Sequence, residues 1–285
     1  MNVVSALLFG YKFLNKSKIA SAETDSEVLL GYVLKKPLDF LYLNQQAELS
    51  KEKKGKYLNL LNRRAKHEPV AYILGSKCFY QSEFLVNKSV LIPRPETELL
   101  IDEILKLTDI ETKRYVIADL GTGCGNIAIS LAKVLPKSSI LATDKSADAL
   151  ILARKNATKY KLNNNIKFFQ GSFLKPLLNH RLDILAANLP YLNNKEMTKV
   201  IKTDLSYEPR IALSGGADGL ACYRKLVAEI AQRQQKPKYI FFEIGAGQYI
   251  RLSKYISRLL PRYFIEVIKD YASIDRVVKL TKKVR

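Results

Sequence analysis

Tyr115-Val116-Ile117-Ala118-Asp119-Leu120-Gly121-Thr122-Gly123-Cys124-Gly125 is the stretch on which the fold turns. An apolar run of strand length breaks into a turn with glycine at every second position. Glycine adopts positive φ freely and removes the side chains that would keep a ligand off the backbone. Downstream, the runs 140–143, 166–169, 183–187 and 239–244 read as further buried strands, with amphipathic helical segments between most of them. That alternation predicts a parallel sheet covered on both faces. The runs 264–268 and 277–280 have no helix-length segment between them and predict an antiparallel pair at the sheet edge.

Upstream the pattern differs. Thr24-Asp25-Ser26-Glu27 reads as a helix start, capped by Thr24 or Asp25, with Val28, Leu29, Tyr32 and Val33 at helical spacing before Pro37. Ser50 opens a second helix, in which Tyr57, Leu60, Leu61 and Ala65 share one stripe. Helices this short need one another's apolar faces, which predicts a small bundle over 1–75. From Cys78 to Ile92 two extended runs flank Asn87-Lys88, and Pro93-Arg94-Pro95 stiffens the chain before a helix at about 96–107. A hairpin linker is therefore expected over 76–95, ahead of a catalytic domain over 96–285. The fold class expected is α/β: a Rossmann-like, mostly parallel seven-stranded sheet with an antiparallel edge, carrying an N-terminal helical bundle.

With 47 Lys and Arg against 27 Asp and Glu, the formal net charge is +20. Such a field favours an acidic partner, nucleic acid included. A merely lysine-rich surface explains it as well, because the positives are spread along the chain. Cys78, Cys124 and Cys222 form no pair motif and His67 and His180 no cluster, so no metal site is expected and the thiols fit a reduced, cytoplasmic setting. No stretch has the length of a membrane span. The apolar start, Met1 to Phe9, lacks the features of a signal peptide and reads as the beginning of a helix.

In an open parallel sheet a ligand sits beyond the carboxyl ends of the strands, at the switch point, where the Gly121 to Gly125 turn falls. Asp144, about 20 residues on at the end of the next strand, is placed to accept ribose hydroxyls; its plainer role is a helix cap beside Ser146. Phe173 can pack on an adenine face or be an ordinary core aromatic. The Gly-x-Gly-x-Gly spacing lacks the wider third glycine of a dinucleotide fingerprint, which favours S-adenosylmethionine over a nicotinamide cofactor. Asn188-Leu189-Pro190-Tyr191 ends the fourth strand of the alternating region. The Asn188 side-chain oxygen and the Leu189 carbonyl can accept both N–H groups of an NH2 acceptor. Pro190 holds Leu189 extended, and Tyr191 offers a flat face. An amide nitrogen is a poor nucleophile, so alignment matters most, and it is worth roughly 7–11 kcal/mol of a barrier.

These motifs, together with Ser21-Ala22-Glu23-Thr24-Asp25, Glu68-Pro69-Val70-Ala71-Tyr72-Ile73-Leu74-Gly75, Ile92-Pro93-Arg94-Pro95-Glu96-Thr97-Glu98, Glu208-Pro209-Arg210, Ser214-Gly215-Gly216-Ala217-Asp218-Gly219 and Phe242-Glu243-Ile244-Gly245, resemble the PrmC/HemK family of release-factor glutamine N(5)-methyltransferases over nearly the whole chain. Ile92 to Glu98 discriminates best, because generic amino-methyltransferases lack it. The resemblance implies methylation of the glutamine in the Gly-Gly-Gln loop of class I peptide chain release factors. It puts Gly121, Thr122, Gly123, Cys124, Gly125, Asp144, Phe173 and Asn188 at S-adenosylmethionine, and Asn188, Leu189, Pro190 and Tyr191 at the glutamine amide. It implies a helical substrate-recognition domain over 1–75 and S-adenosylhomocysteine as product. Two positions depart from the pattern: Leu189 replaces the usual first proline, and Phe173 stands where an indole is often found. The bland readings are an Arg94 linker salt bridge, a helix-start preference at Glu96 and Glu98, and turn glycines at 215, 216 and 219. The competing functions are a ribosomal-protein glutamine methyltransferase, a nucleic-acid amino-methyltransferase, and a non-catalytic basic module.

Overall fold

A computed structural model describes residues 1–107, 109–200 and 203–283. They form two compact units, residues 1–76 with 203–207, and residues 77–200 with 208–283. The first unit holds helices α1 (Val3–Lys16), α2 (Ala22–Leu34), α3 (Leu38–Leu43), α4 (Lys51–Ala65) and α5 (Val70–Leu74). Asn2 caps α1 by accepting the Ser5 N–H at 3.0 Å, and Ser50 caps α4 by accepting that of Lys53 at 3.2 Å. Val3, Leu14, Leu29, Leu30, Tyr57 and Leu61 fill the shared core. Gly10 lets α1 approach closely: a Cβ there would lie 2.1 Å from the Tyr57 hydroxyl.

The expected start of α2 is corrected. The helix begins at Ala22, and Asp25 is drawn inward to meet Arg64 at 2.7 Å. Arg64 is only 4% exposed and is held by both Asp25 and Asp204, each at 2.7 Å. A buried guanidinium robbed of a counter-charge costs about 3–5 kcal/mol, against about 1 for a helix cap, so the ion pair wins.

A hairpin of β1 (Ser76–Phe79) and β2 (Ser82–Leu85) turns at Tyr80-Gln81, not at Asn87-Lys88. Tyr80 and Gln81 both take positive φ, +45° and +55°, the twist that a two-residue hairpin needs. Neither residue advertises a turn. Burial of Phe79 and Phe84 on either side sets the register instead. Asn87 makes its own tight turn, its Oδ1 accepting the N–H and hydroxyl of Ser89 at 2.9 and 2.6 Å.

The second unit continues with a 3₁₀ turn (Pro95–Thr97), α6 (Glu98–Leu105), β3 (Val116–Leu120), α7 (Asn126–Val134), β4 (Ser139–Asp144), α8 (Ala147–Lys159), β5 (Ile166–Gln170) and β6 (Ile184–Asn188). It closes with α9 (Asn194–Val200), α10 (Arg210–Leu213), α11 (Ala221–Gln232), β7 (Tyr239–Glu243), α12 (Tyr249–Leu259), β8 (Tyr263–Lys269) and β9 (Asp275–Lys282). The sheet order is β5-β4-β3-β6-β7-β9-β8. The first five strands run parallel, and β9 slots antiparallel between β7 and β8. Ala118, Leu120, Leu185, Ala187, Ile240 and Phe242 face a core shared with α11 and α12. The alternate residues Ile117, Ile184, Ala186 and Phe241 are equally buried, so both faces are covered, as the unbroken apolar runs require. The chain steps outward from β3 to β5 and then crosses to β6 on the other side of β3, which places the switch point at the carboxyl end of β3.

Candidate active site

At that switch point lies a cavity of about 370 Å³. Gly121, Thr122 and Gly123 form one wall, and the N–H groups of Gly121 and Thr122 donate to the Thr143 carbonyl at 2.8 and 2.9 Å. Gly121 has φ of +76° and passes so close to the next wall that a Cβ would meet the Leu189 side chain at 3.1 Å. Behind the turn, the fully buried Asp119 carboxylate accepts the Thr122 hydroxyl at 2.6 Å and the Ala128 N–H at 3.1 Å. Burial pushes Asp119 up to about 7 despite those donors.

Asp144 lines the cavity directly beside this turn, where its Oδ2 accepts the Gly123 N–H and its Oδ1 the Ser146 N–H, each at 2.9 Å. Burial raises its pKa, and the backbone N–H groups of Ser146, Gly123 and Lys145 pull it back. Each oxygen keeps a lone pair for a hydroxyl. The helix cap is Ser146 itself, which accepts the Ala149 N–H at 3.2 Å. Phe173 also lines the cavity, held at φ of +49° with its carbonyl accepting the Thr143 hydroxyl at 3.1 Å.

Asn188, Leu189 and Pro190 also line the cavity. The Asn188 amide donates through Nδ2 to the Thr97 hydroxyl at 3.0 Å, which leaves Oδ1 as the acceptor available to a ligand. The Leu189 N–H donates to the buried Tyr223 hydroxyl at 3.1 Å, while among the described residues no backbone N–H donates to the Leu189 carbonyl. Three of the expected residues stand outside the cavity wall. The Cys124 thiol is fully buried and pushed up to about 12 by that burial. At Gly125 an added Cβ would meet Ile129 and Ala153 at 3.0 and 3.3 Å, so this glycine serves helix packing. Tyr191 turns its hydroxyl back toward Glu243 Oε1, at 3.4 Å.

Other contributors were not assigned to the site by their sequence. Thr97 and Arg94 line the cavity, and Arg94 pairs with the buried Glu208, which also accepts the Ile92 N–H at 3.0 Å. Arg94 is thus a salt-bridge residue, and that bridge anchors the Ile92 to Glu98 segment at the site. Gln248 donates to the Tyr191 carbonyl at 2.8 Å. Gly219, at φ of +80°, lies so near that a Cβ would sit 2.2 Å from the same carbonyl oxygen. Each of these pairs joins residues far apart in sequence. The one hint in the sequence is that Arg94, Thr97, Glu208 and Gly219 lie in segments that carry the family resemblance.

Glu243 ends β7 directly beside Asn188. Burial pushes its carboxyl up to about 7 from the ordinary 4.5, and Glu96 adds to this, against the Thr97 hydroxyl, Arg276 and the Tyr191 hydroxyl. A carboxyl raised in the folded state keeps a proton that the unfolded chain gives up. Stability therefore falls as pH rises from about 4.5 to about 7, and the penalty, on the order of 3 kcal/mol, is complete above that window. Glu243→Gln is expected to unfold with roughly 1–3 kcal/mol more free energy than the parent at pH ~8 and no more at pH ~4.5, as read by urea titration. A variant equally destabilised at both pH values would show that the carboxyl carries no such penalty.

This architecture is that of class I methyltransferases. Among solved structures it is similar to the catalytic domain of human METTL16, at a TM-score of 0.58 and 16% identity over 88% of this chain and 92% of that one. It is also similar to the ribosomal protein L11 methylase of Lactobacillus delbrueckii, at 0.51 and 18% over 70% and 84%. Residues 5–75 match the PrmC N-terminal domain and residues 95–222 the methyltransferase small domain. A release factor glutamine methyltransferase of Clostridium acetobutylicum is 34% identical over 98% of both chains. Its counterpart from Moorella thermoacetica is 38% identical over 88% of both. The chain belongs to the release factor glutamine methyltransferase family. A bifunctional methyltransferase of Rickettsia felis is 37% identical over 93% of this chain, which spans only 55% of that relative's length.

Proposed function

We propose that the protein transfers a methyl group from S-adenosylmethionine to the side-chain nitrogen of the glutamine in the Gly-Gly-Gln motif of class I peptide chain release factors. The observation that carries this reading is Asn188, which lines the cavity beside the glycine turn and is anchored through its amide nitrogen, so that its oxygen is the end left for an acceptor. The residues present suit the donor: a wall without side chains at Gly121 and Gly123, a carboxylate at Asp144 for ribose hydroxyls, and Phe173 beside them. When bound, the donor supplies an electrophilic methyl carbon whose sulfur leaves with the bonding electron pair as S-adenosylhomocysteine. Asn188 Oδ1 and the Leu189 carbonyl each take one N–H of the acceptor amide, which aims the nitrogen lone pair. The product nitrogen then gives its extra proton to water, so no strong base is required. Positioning supplies most of the rate, and Tyr223, Thr97 and Gln248 hold the parts that position.

Residues 1–75 act in substrate recognition and residues 96–285 in transfer, with 76–95 joining them, and the site of action is the cytoplasm. Among the described residues no helix is long and apolar enough to cross a membrane. The net charge of +20 favours one second reading, an amino group on a nucleobase as acceptor. The test is peptide mass mapping after incubation of purified protein and donor with a class I release factor, with RNA, DNA and ribosomal protein in parallel. The expected result is one added methyl on the Gly-Gly-Gln peptide. Methylation of nucleic acid or ribosomal protein alone would replace the reading.

A further inference from the structure

We propose that Thr97 is the positioning residue that sets which end of the Asn188 amide faces the acceptor; this rests on the functional reading above. An asparagine side chain is nearly symmetric in shape, and its two ends differ only in donating or accepting. If it rotated by half a turn, Asn188 would confront the acceptor NH2 with another NH2, and the acceptor nitrogen would lose its alignment. Something in the fold must therefore distinguish the ends.

Thr97 does so. It is 1% exposed, sits at the end of the 3₁₀ turn before α6, and takes the Asn188 Nδ2–H on its hydroxyl oxygen at 3.0 Å. A hydroxyl can donate as well as accept, so it would hold either end of the amide unless its single proton were engaged elsewhere. Glu243, paired with Asn188 across the sheet, carries a buried Oε2 with no hydrogen-bond partner among the described residues, and that oxygen is the acceptor toward which the Thr97 proton turns. With its proton directed to Glu243, the Thr97 oxygen can only accept, and only the NH2 end of Asn188 satisfies it. Glu243 is the strand neighbour of Asn188 across β6 and β7, so the three groups are held by the sheet and by one short turn. The turn is itself pinned, by the Thr97 N–H donating to the Arg94 carbonyl at 3.1 Å and by Arg94 pairing with Glu208.

The experiment compares Thr97→Val, Thr97→Ser and Asn188→Ala, each alone, and Thr97→Val with Asn188→Ala, in the full chain. Valine keeps the shape and removes the hydroxyl. It is expected to lower kcat for the release factor about 10–100-fold with the donor KM within about threefold, while serine restores kcat to within about threefold of the parent. On the Asn188→Ala background the valine change is expected to add less than about twofold, because Thr97 acts only through that amide. A readout without substrate accompanies these. In protein labelled at asparagine nitrogen, one Asn188 side-chain amide proton should exchange slowly in the parent and in Thr97→Ser, and fast in Thr97→Val. Parental kcat in Thr97→Val, additive losses in the double variant, or a proton that stays protected without the hydroxyl would each overturn the proposal. A parent protein that leaves the release factor unmodified would overturn the functional reading and this inference with it, whatever the exchange data show.

Discussion

Asn188→Ala is expected to lower kcat for the proposed release-factor methylation by about 10²–10³-fold. That is the size of effect seen when one preorganised polar group is taken from a closed site. The loss belongs in kcat because the hydrogen bond from the acceptor amide strengthens as its nitrogen pyramidalises and its N–H groups acidify toward the transition state. Alanine also leaves the buried Thr97 hydroxyl without its donor, a cost borne by the protein whether or not substrate is present. The Leu189 carbonyl remains, which sets a floor under the loss. Steady-state kinetics with the intact release factor, and calorimetry with S-adenosylhomocysteine, separate lost chemistry from lost donor binding. Donor affinity should change by no more than about tenfold while kcat collapses. Parental kcat would remove Asn188 from the chemistry altogether.

The second large effect is at Asp144. Its two oxygens already accept the Gly123 and Ser146 N–H groups, and in the proposed complex they accept ribose hydroxyls as well. A hydrogen bond to a charged group contributes about 1.5–3 kcal/mol, so losing even one such contact and part of another weakens donor binding about 10²-fold in Asp144→Ala. Alanine also frees the turn N–H at Gly123, so some of that loss would come from a loosened glycine wall. Asp144→Asn divides the two contributions. Its amide oxygen can still accept one backbone N–H, but its NH2 cannot accept a hydroxyl, so binding should fall by about tenfold or more with an unfolding midpoint close to the parent's. If S-adenosylhomocysteine bound Asp144→Ala as tightly as the parent, the carboxylate would be a structural support for the turn and nothing else.

Asp144 and Asn188 are legible in the sequence because each ends an apolar run that must be a strand, and strand ends in a parallel sheet share one side. Gly121 is legible for the same reason. Cys124 and Gly125, expected at the ligand, are turned into the packing of α7 and α8, since within a five-residue turn only tertiary contacts decide which residues look outward. Tyr191 is likewise drawn back toward Glu243. The hairpin turn is hidden from a sequence reading because Tyr80-Gln81 lacks turn chemistry and is forced into positive φ by the burial of its neighbours. Asp25 resembles a cap in the sequence because its partner, Arg64, lies 39 residues away.

By itself the sequence determined the alternation of strands and helices after Lys113, the parallel sheet with its antiparallel edge, the glycine turn and the segment that closes β6. All of these follow from periodicity and turn chemistry, which act between near neighbours. Only the tertiary structure decided how the groups of the candidate site are oriented. Thr97, Tyr223, Glu243 and Gln248 reach the Asn188 to Tyr191 segment from separate elements. A side-chain amide is turned one way or the other by the hydrogen-bond partners that surround it in space, and no local pattern of residues encodes those.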